Sequence, residues 1–309
     1  MSLAPLGRRL AEITAHRHLG AYDVLTCDDP DGPAPDPGQF YMLAAAERWG
    51  GGEDERPFLP RAFSVLRRRP HAAGSPSAAG GAGAAPAGSP AGGGRAAPAG
   101  LPAGGGRAAP AGPGQDGLAG GAQPALEFLL EAVGPGTRRL AELRAGDGLW
   151  LAGPFGRGFT PPREGRRPLL AGGGVGIAPL AIWQDAIGGE ALLGFRDAAH
   201  AEGAALLAGA RVATDDGSAG HQGPVTDLLA AALGADPHAE VYACGPPRML
   251  EAVRALCAER AVPAQLALES GMACGYGACF GCVVPTKRGL IRLCLDGPVL
   301  DAQELEAVG

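Results

Sequence analysis

Four cysteines in one short stretch constrain this chain more than any other feature. Cys274, Cys279, Cys282 and Cys294 stand at C-x4-C-x2-C-x11-C, a spacing in which thiolates hold a [2Fe-2S] cluster. Cluster sulfurs are electron-rich and tuned by hydrogen bonds, so the surrounding loop must bring backbone N–H groups close. Gly275, Gly277, Ala278 and Gly281 separate the first three ligands with almost no side chain, which lets a backbone wrap that tightly. A structural zinc site is the competing reading, but it ordinarily uses two short Cys-x2-Cys pairs, and only one exists here. Cys27 and Cys257 lie in apolar strand-like and helix-like settings and read as small core residues.

The start of the chain has no apolar stretch ahead of its charged residues, and no uninterrupted apolar run reaches the length of a membrane span. A cytoplasmic location is expected, where clustered thiols bind metal or do redox chemistry rather than pair. A net charge of -6, with 19% charged residues, offers no basic surface for nucleic acid or an anionic membrane. Glycine and proline are concentrated in residues 71–122, where SPAGGGRAAPAG (89–100) recurs as LPAGGGRAAPAG (101–112). Such a repeat has too few apolar side chains to offset its ordering entropy, so 71–122 is expected to be a disordered insertion.

The remainder divides into three blocks. Short apolar runs broken by turn residues (AEITAHRHLG, YDVLTC, GQFYMLAA, RAFSVLRR, ALEFLLEAV, DGLWLAGPFG) suggest a small antiparallel barrel. From Pro168, the strands PLLAGGG, EALLGFR, ARVATDD and EVYACGP alternate with the helices TDLLAAALG and PRMLEAVRALCAER, implying βαβ units and a parallel sheet. The cysteines occupy the last block.

Nucleotide signals fall at strand ends. In LLAGGGVGIAPL, Gly174, Gly176 and Pro179 fit G-x-G-x-x-P after a strand, where missing side chains let backbone and a helix N-terminus approach a pyrophosphate. Cys244 and Gly245 of YACGPPRML fall at the carboxyl end of a parallel strand, where such sheets bind ligands; a Gly-Pro turn accounts for the glycine and prolines but not for the thiol. Asp215 and Asp216 suit either hydrogen bonding to a ribose or nicotinamide, or a solvated turn. Arg61, Phe63 and Ser64 alternate along a strand, so Phe63 could stack on a flat ring while Arg61 and Ser64 hold phosphate oxygens, or the strand simply has a charged edge. VGPGT (133–137) could add backbone N–H groups and the Thr137 hydroxyl.

An Arg-x-aromatic-Ser strand, a Gly-Thr turn, GPFGRGF, GGGVGIAP and CGPPRML together resemble the ferredoxin-NADP reductase superfamily. ESGMACGYGACFGC followed by RLCLDGPVLDAQEL narrows this to a resemblance to the electron-transfer subunits of class 1B dihydroorotate dehydrogenases, covering all but residues 71–122. The resemblance implies an FAD-binding antiparallel barrel (1–162), a Rossmann-like NAD-binding domain (163–260) and a small C-terminal [2Fe-2S] domain (261–309). It implies that Arg61, Ala62, Phe63, Ser64, Leu129, Leu130, Glu131, Gly136 and Thr137 bind FAD, and that Gly174, Gly176 and the catalytic Cys244 line the nicotinamide side. The four clustered cysteines would hold the iron.

The implied partner is an FMN-containing catalytic subunit that oxidises dihydroorotate in pyrimidine biosynthesis, in a heterotetramer with two copies of each chain. A flavin converts between two-electron nicotinamide chemistry and one-electron cluster chemistry, and no general base for dihydroorotate stands out in the sequence. The chain departs from the family where Leu130 and Glu131 replace a common Tyr-Arg pair. A carboxylate beside a pyrophosphate is unfavourable, so Glu131 is expected to point away or to be offset by Arg138 or Arg139. Arg196 and Asp197 argue in opposite directions on a 2'-phosphate. The alternatives are a related subunit of another flavin and iron-sulfur complex, such as an NADH-dependent ferredoxin:NADP or hydrogenase-linked reductase, and a colourless zinc-stabilised binding module.

Overall fold

Alternation of buried and exposed residues builds the first unit. In β1 (Arg9–Leu19), Ala11 and Ile13 are buried while Leu10 and Glu12 are exposed, the period-2 pattern of a strand with one covered face. β2 (Tyr22–Asp28) and β3 (Phe40–Ala45) are buried almost throughout. For β2 the cause is cover on both sides: Leu25 packs in the barrel interior and Val24 packs against the neighbouring sheet. The computed structural model describes residues 7–30, 32–46, 60–70 and 124–306, so the insertion expected at 71–122 lies outside the described residues. β4 (Arg61–Pro70), β5 (Pro124–Leu130) and β6 (Gly148–Phe155) complete a closed barrel in the order β1-β2-β5-β4-β3-β6, with every pairing antiparallel. A short helix, α1 (Pro135–Ala141), follows β5.

Seven strands form the second sheet: β7 (Arg167–Gly173), β8 (Glu190–Phe195), β9 (Arg211–Thr214), β10 (His221–Gln222), β11 (Ala239–Cys244), β12 (Ala264–Ala267) and, last in chain order, β15 (Val299–Asp301). Their order is β10-β9-β8-β7-β11-β12-β15, parallel except for the final pair. α2 (Ile177–Ile187) covers one face, through Leu180, Ala181 and Trp183. After a short α3 (Ala198–Ala201), α4 (Val225–Ala235) and α5 (Pro247–Glu259) cover the other, through Leu229, Val253 and Cys257. Cover on both faces is why β11 is buried at every position and reads as a continuous apolar run. Chain direction across the sheet reverses between β7 and β11, and an open α/β sheet takes its ligand outside the strand ends at that point.

Aromatic packing and a bidentate ion pair fix the barrel against the sheet. Phe159 stacks on Trp183 with centroids 5.8 Å apart, and Tyr242 meets both rings edge-on while its hydroxyl donates to the Thr160 carbonyl at 3.0 Å. The Arg67 guanidinium on β4 donates to both Asp185 oxygens on α2, at 2.7 and 3.2 Å, and to the Leu206 carbonyl at 2.7 Å. After β12 the chain runs through the cysteine loop, the hairpin β13 (Val283–Thr286) and β14 (Gly289–Arg292), and α6 (Leu293–Asp296), then returns as β15 antiparallel to β12. The sequence pattern separates this last segment from the sheet at about residue 261, yet β12 and β15 are sheet strands. With four and three residues each, they are too short to show a period.

Candidate redox site

The Arg-x-aromatic-Ser strand lies beside a cavity. Ala62, Phe63 and Ser64 on β4, Leu129 on β5 and Phe40 on β3 form one side of a cavity of about 160 Å3; Val175 and Ala178 close it from the nucleotide loop, and Leu268, Glu269, Ser270, Met272 and Pro298 from the C-terminal segment. Flat walls from Phe40 and Phe63 with a few polar groups suit a planar ring system. Arg61 lies one position from this lining. Its guanidinium packs over α1, within 3.2–3.3 Å of where a Cβ on Gly136 would stand, so glycine at 136 is what admits a cation at that turn. The Thr137 hydroxyl accepts from the Gly134 N–H at 3.0 Å and sits 3.1 Å from the Gly134 carbonyl; it holds the turn rather than standing open to solvent. The Leu130 side chain is fully buried in the barrel core, because β5 turns alternate residues inward, so any contact it makes with a ligand is through its backbone.

A second cavity, of about 520 Å3, opens at the sheet's switch point, lined by Gly173, Gly174, Arg196, Asp215, Pro246, Arg248 and Met249 together with Tyr22, Glu131 and His200. Gly174 takes φ +55° and faces open space. Gly176 does something else: a Cβ there would come within 2.6 Å of the Cys244 and Gly245 backbone, so it permits close approach of the α2 start to the end of β11. Of the two aspartates, Asp215 lines the cavity, whereas Asp216 accepts from the Ser218 N–H and hydroxyl at 2.9 and 2.6 Å in an exposed turn. Both aspartates are exposed in the same turn, and only Asp215 is in a position to meet a ligand in the cavity.

The Glu131 carboxylate reaches the sheet domain. Its Oε1 lies 3.3 Å from His200 Nε2 and 4.0 Å from the Arg196 guanidinium. His200 Nδ1 is 2.7 Å from Asp197, which also caps α3 by accepting the His200 N–H at 3.1 Å; the two His200 bonds hold the Asp197 carboxyl down to about 2. The cation nearest Glu131 is therefore Arg196, whose guanidinium also lies 2.7 Å from His200 Nε2. The expected Arg138 and Arg139 are not its partners.

Sequence reasoning missed Glu269. It lines the first cavity as an exposed residue, and loss of solvent around the carboxyl on that side raises it above the ordinary value. Burial, with Glu269 nearby, also raises the Cys244 thiol well above its ordinary value. Such a thiol at the end of β11 stays protonated and packs in the apolar core. The available signal for Glu269 was a single carboxylate directly after the apolar run QLAL, at a strand end.

The loop and α6 bring two of the four thiols into contact. Cys282 and Cys294 are buried with their Sγ atoms 3.2 Å apart, Cys274 is half-buried and Cys279 is exposed. Burial pushes the Cys274 thiol up, but backbone N–H groups of Cys279, Tyr276 and Ala278 outweigh it and bring it down to about 6. Burial and Cys282 push Cys294 up to about 12, as expected where one thiolate crowds the next. Convergent thiols with N–H groups aimed at sulfur fit an iron-sulfur cluster. Gly275, at φ +81°, presses on the barrel: a Cβ would meet the Met42 side chain at 2.6 Å and Phe155 at 3.1 Å. Met272 lines the flat cavity and Cys274 follows two residues later, a separation of at most about 7 Å along the chain.

A barrel and a doubly wound sheet meeting at a flat cavity, with a thiol loop against it, define a ferredoxin-reductase-like fold with an added iron-sulfur domain. The solved structure of an NADH-dependent reduced ferredoxin-NADP oxidoreductase, studied for flavin-based electron bifurcation, matches with a TM-score of 0.66 at 21% identity, covering 97% of this chain and 90% of that one. A ferredoxin reductase of carbazole 1,9a-dioxygenase matches with a TM-score of 0.55 at 21% identity, covering 85% and 68%. Residues 269–306 match the family model of the iron-sulfur cluster binding domain of dihydroorotate dehydrogenase B. The dihydroorotate dehydrogenase B (NAD(+)), electron transfer subunit of Caldanaerobacter subterraneus subsp. tengcongensis is 38% identical over 188 residues, covering 58% of this chain and 75% of the relative; that of Bacillus caldolyticus is 40% identical over 188 residues, covering 56% and 70%. The chain belongs to the family of dihydroorotate dehydrogenase B (NAD(+)) electron transfer subunits.

Proposed function

We propose that this chain takes electrons from a separate FMN-containing dihydroorotate dehydrogenase subunit and delivers them, by way of a [2Fe-2S] cluster and FAD, to NAD+ in pyrimidine biosynthesis. The observation that carries this reading is the adjacency of Met272 and Cys274: one short segment lines the flat cavity and supplies the first thiol. When bound, the flavin supplies the exchange between paired-electron nicotinamide chemistry and single-electron cluster chemistry.

The residues divide that work. Phe63, Ala62, Ser64 and Leu129 hold the ring, and Arg61 with the turn at Gly136 and Thr137 supplies the positive end for its phosphates. Gly174 opens the nucleotide crevice, Gly176 lets α2 close on β11, and Cys244 ends β11 with its backbone against Gly176. Cys274, Cys279, Cys282 and Cys294 hold the cluster. In this division residues 1–162 serve the flavin, 163–260 the NAD and 261–309 the iron, the last segment anchored to the sheet by β12 and β15.

The partner surface is the cluster loop. Phe280 and Tyr276 are exposed at 62% and 39% beside the exposed Cys279, with Leu295 close by at 39%; large apolar side chains gathered on one loop mark an interaction site. Among the described residues no helix is long and apolar enough to cross a membrane, and a cytoplasmic heterotetramer of two chains of each kind is the assembly we infer. Anaerobic co-purification with the catalytic chain tests the reading. Dihydroorotate should bleach the flavin and cluster bands, and NAD+ should restore them. A complex that stays oxidised with dihydroorotate but bleaches with NADH would move the chain to another flavin and iron-sulfur complex.

A further inference from the structure

At the end of the barrel formed by the β1–β2 turn, far in sequence from the cysteines, three metal-ligating side chains converge. His16 and His18 stand two apart on β1 and so share a face. Asp23 is directly opposite His18 on β2, while His16 pairs with Leu25, which places Asp23 beside both rings. His16 Nε2 lies 2.8 Å and His18 Nδ1 2.5 Å from the same Asp23 oxygen, and the three ligand atoms lie within 4.8 Å of one another. The β-bulge between Ile13 and Ala15 shifts the register just before this pair, a device that re-aims side chains.

We propose that His16, His18 and Asp23 form a divalent transition-metal site, best suited to Zn2+, independent of the iron-sulfur cluster. Two imidazoles and a carboxylate are a common donor set for such ions. Tetrahedral bonds of 2.0–2.2 Å place ligand atoms about 3.3–3.5 Å apart, so each ring needs to move back from the Asp23 oxygen by about 1 Å or less, and the two ring nitrogens, at most 4.8 Å apart, need to approach each other by up to about 1.5 Å. With no metal, one carboxylate oxygen must serve both rings; the cation replaces those two contacts with bonds to the same three atoms. Burial and access are both provided. The side chains of Asp23 and His16 are 10% and 13% exposed and that of His18 is 79% exposed, on an open cleft of about 660 Å3 also lined by Glu142 and Arg144. The opposed charges of those two leave the cleft without a net barrier to a cation. The bound ion ties β1 to β2 at the open end of the barrel and stabilises the flavin-binding unit by mass action.

Calorimetric titration of ZnCl2 into the full chain carrying its flavin and cluster, so that the cluster thiols are engaged, tests this. One Zn2+ per chain is expected, with a rise in melting temperature. His18→Ala, at an exposed position, should keep the flavin spectrum and weaken binding by at least about 10-fold, and Asp23→Asn should do the same without changing side-chain size. His221→Ala, which removes an exposed His-Asp pair elsewhere, should leave binding unchanged. No zinc uptake by the wild type, or uptake that survives His18→Ala, overturns the proposal.

Discussion

The cysteine loop draws all four of its ligands from one stretch of chain, whereas the cavity against it draws its lining from β3, β4, β5, α2 and the segment after β12. The two are in contact, since Gly275 presses on Met42 and Phe155 of the barrel, yet they depend on different things. The loop needs local backbone geometry: glycines between thiols and N–H groups turned toward sulfur. The cavity needs the whole fold, because strands and loops far apart in sequence must register before Phe63 and Glu269 can face the same space. A local site fails when a ligand is removed, and a dispersed one fails when the packing that assembles it shifts.

The sharpest test of that difference is Cys282→Ser. Losing a buried ligand should abolish iron binding and cut dihydroorotate-linked NAD+ reduction by at least about 100-fold, while flavin content and NADH oxidation by an artificial acceptor remain within a few-fold of wild type. Iron analysis beside both assays checks this, and parallel loss of flavin would show that the two regions are not separable. Next in size is Gly176→Val, which strikes the dispersed site. Side-chain atoms would be forced to within 2.6 Å of the Cys244 backbone, and such overpacking costs about 1–3 kcal/mol. Chemical denaturation should show that loss, with weakened NADH binding and an unchanged iron content.

A smaller effect is expected from Glu269→Gln. Loss of solvent on the cavity side raises the Glu269 carboxyl above its ordinary 4.5, so the folded state holds this proton more tightly than the unfolded chain does. Its stability contribution is complete below 4.5 and is lost as pH rises through the raised value. Glutamine removes that dependence. Melting curves of wild type and variant should converge near pH 4.5 and separate slightly toward pH 8, with the variant the more stable; a constant offset at all pH values would refute the partial desolvation of this carboxyl. Smallest of all is Glu131→Gln. Its contacts to His200 and Arg196 are half-exposed, and such pairs contribute about 0.2–1 kcal/mol. Denaturation should register no more than that, while a loss of FAD binding would put Glu131 back at the flavin phosphates.

What the sequence disclosed follows the same division. The ligand spacing, the strand runs of the barrel and the βαβ alternation are all local patterns, and each is found in the fold. Leu130 and Glu131 show the limit. Leu130 ends β5 with its side chain in the barrel core and Glu131, the first residue past the strand, meets His200 on α3, and no local pattern says which faces the flavin. Glu269 was hidden for a related reason: nothing near it in sequence is catalytic in character, and only the folded chain sets it against Phe63 and Cys244. Asp215 and Asp216 are chemically identical neighbours in one turn, told apart only by what each side chain meets.

The most direct measurement is anaerobic addition of NADH to the isolated chain, followed by electron paramagnetic resonance, with the flavin present and after it is stripped. If the short segment from Met272 to Cys274 joins the two redox sites, NADH should produce the reduced-cluster signal in the flavin-loaded chain and none in the stripped chain. A cluster that NADH reduces without flavin, or fails to reduce with it, would contradict that path.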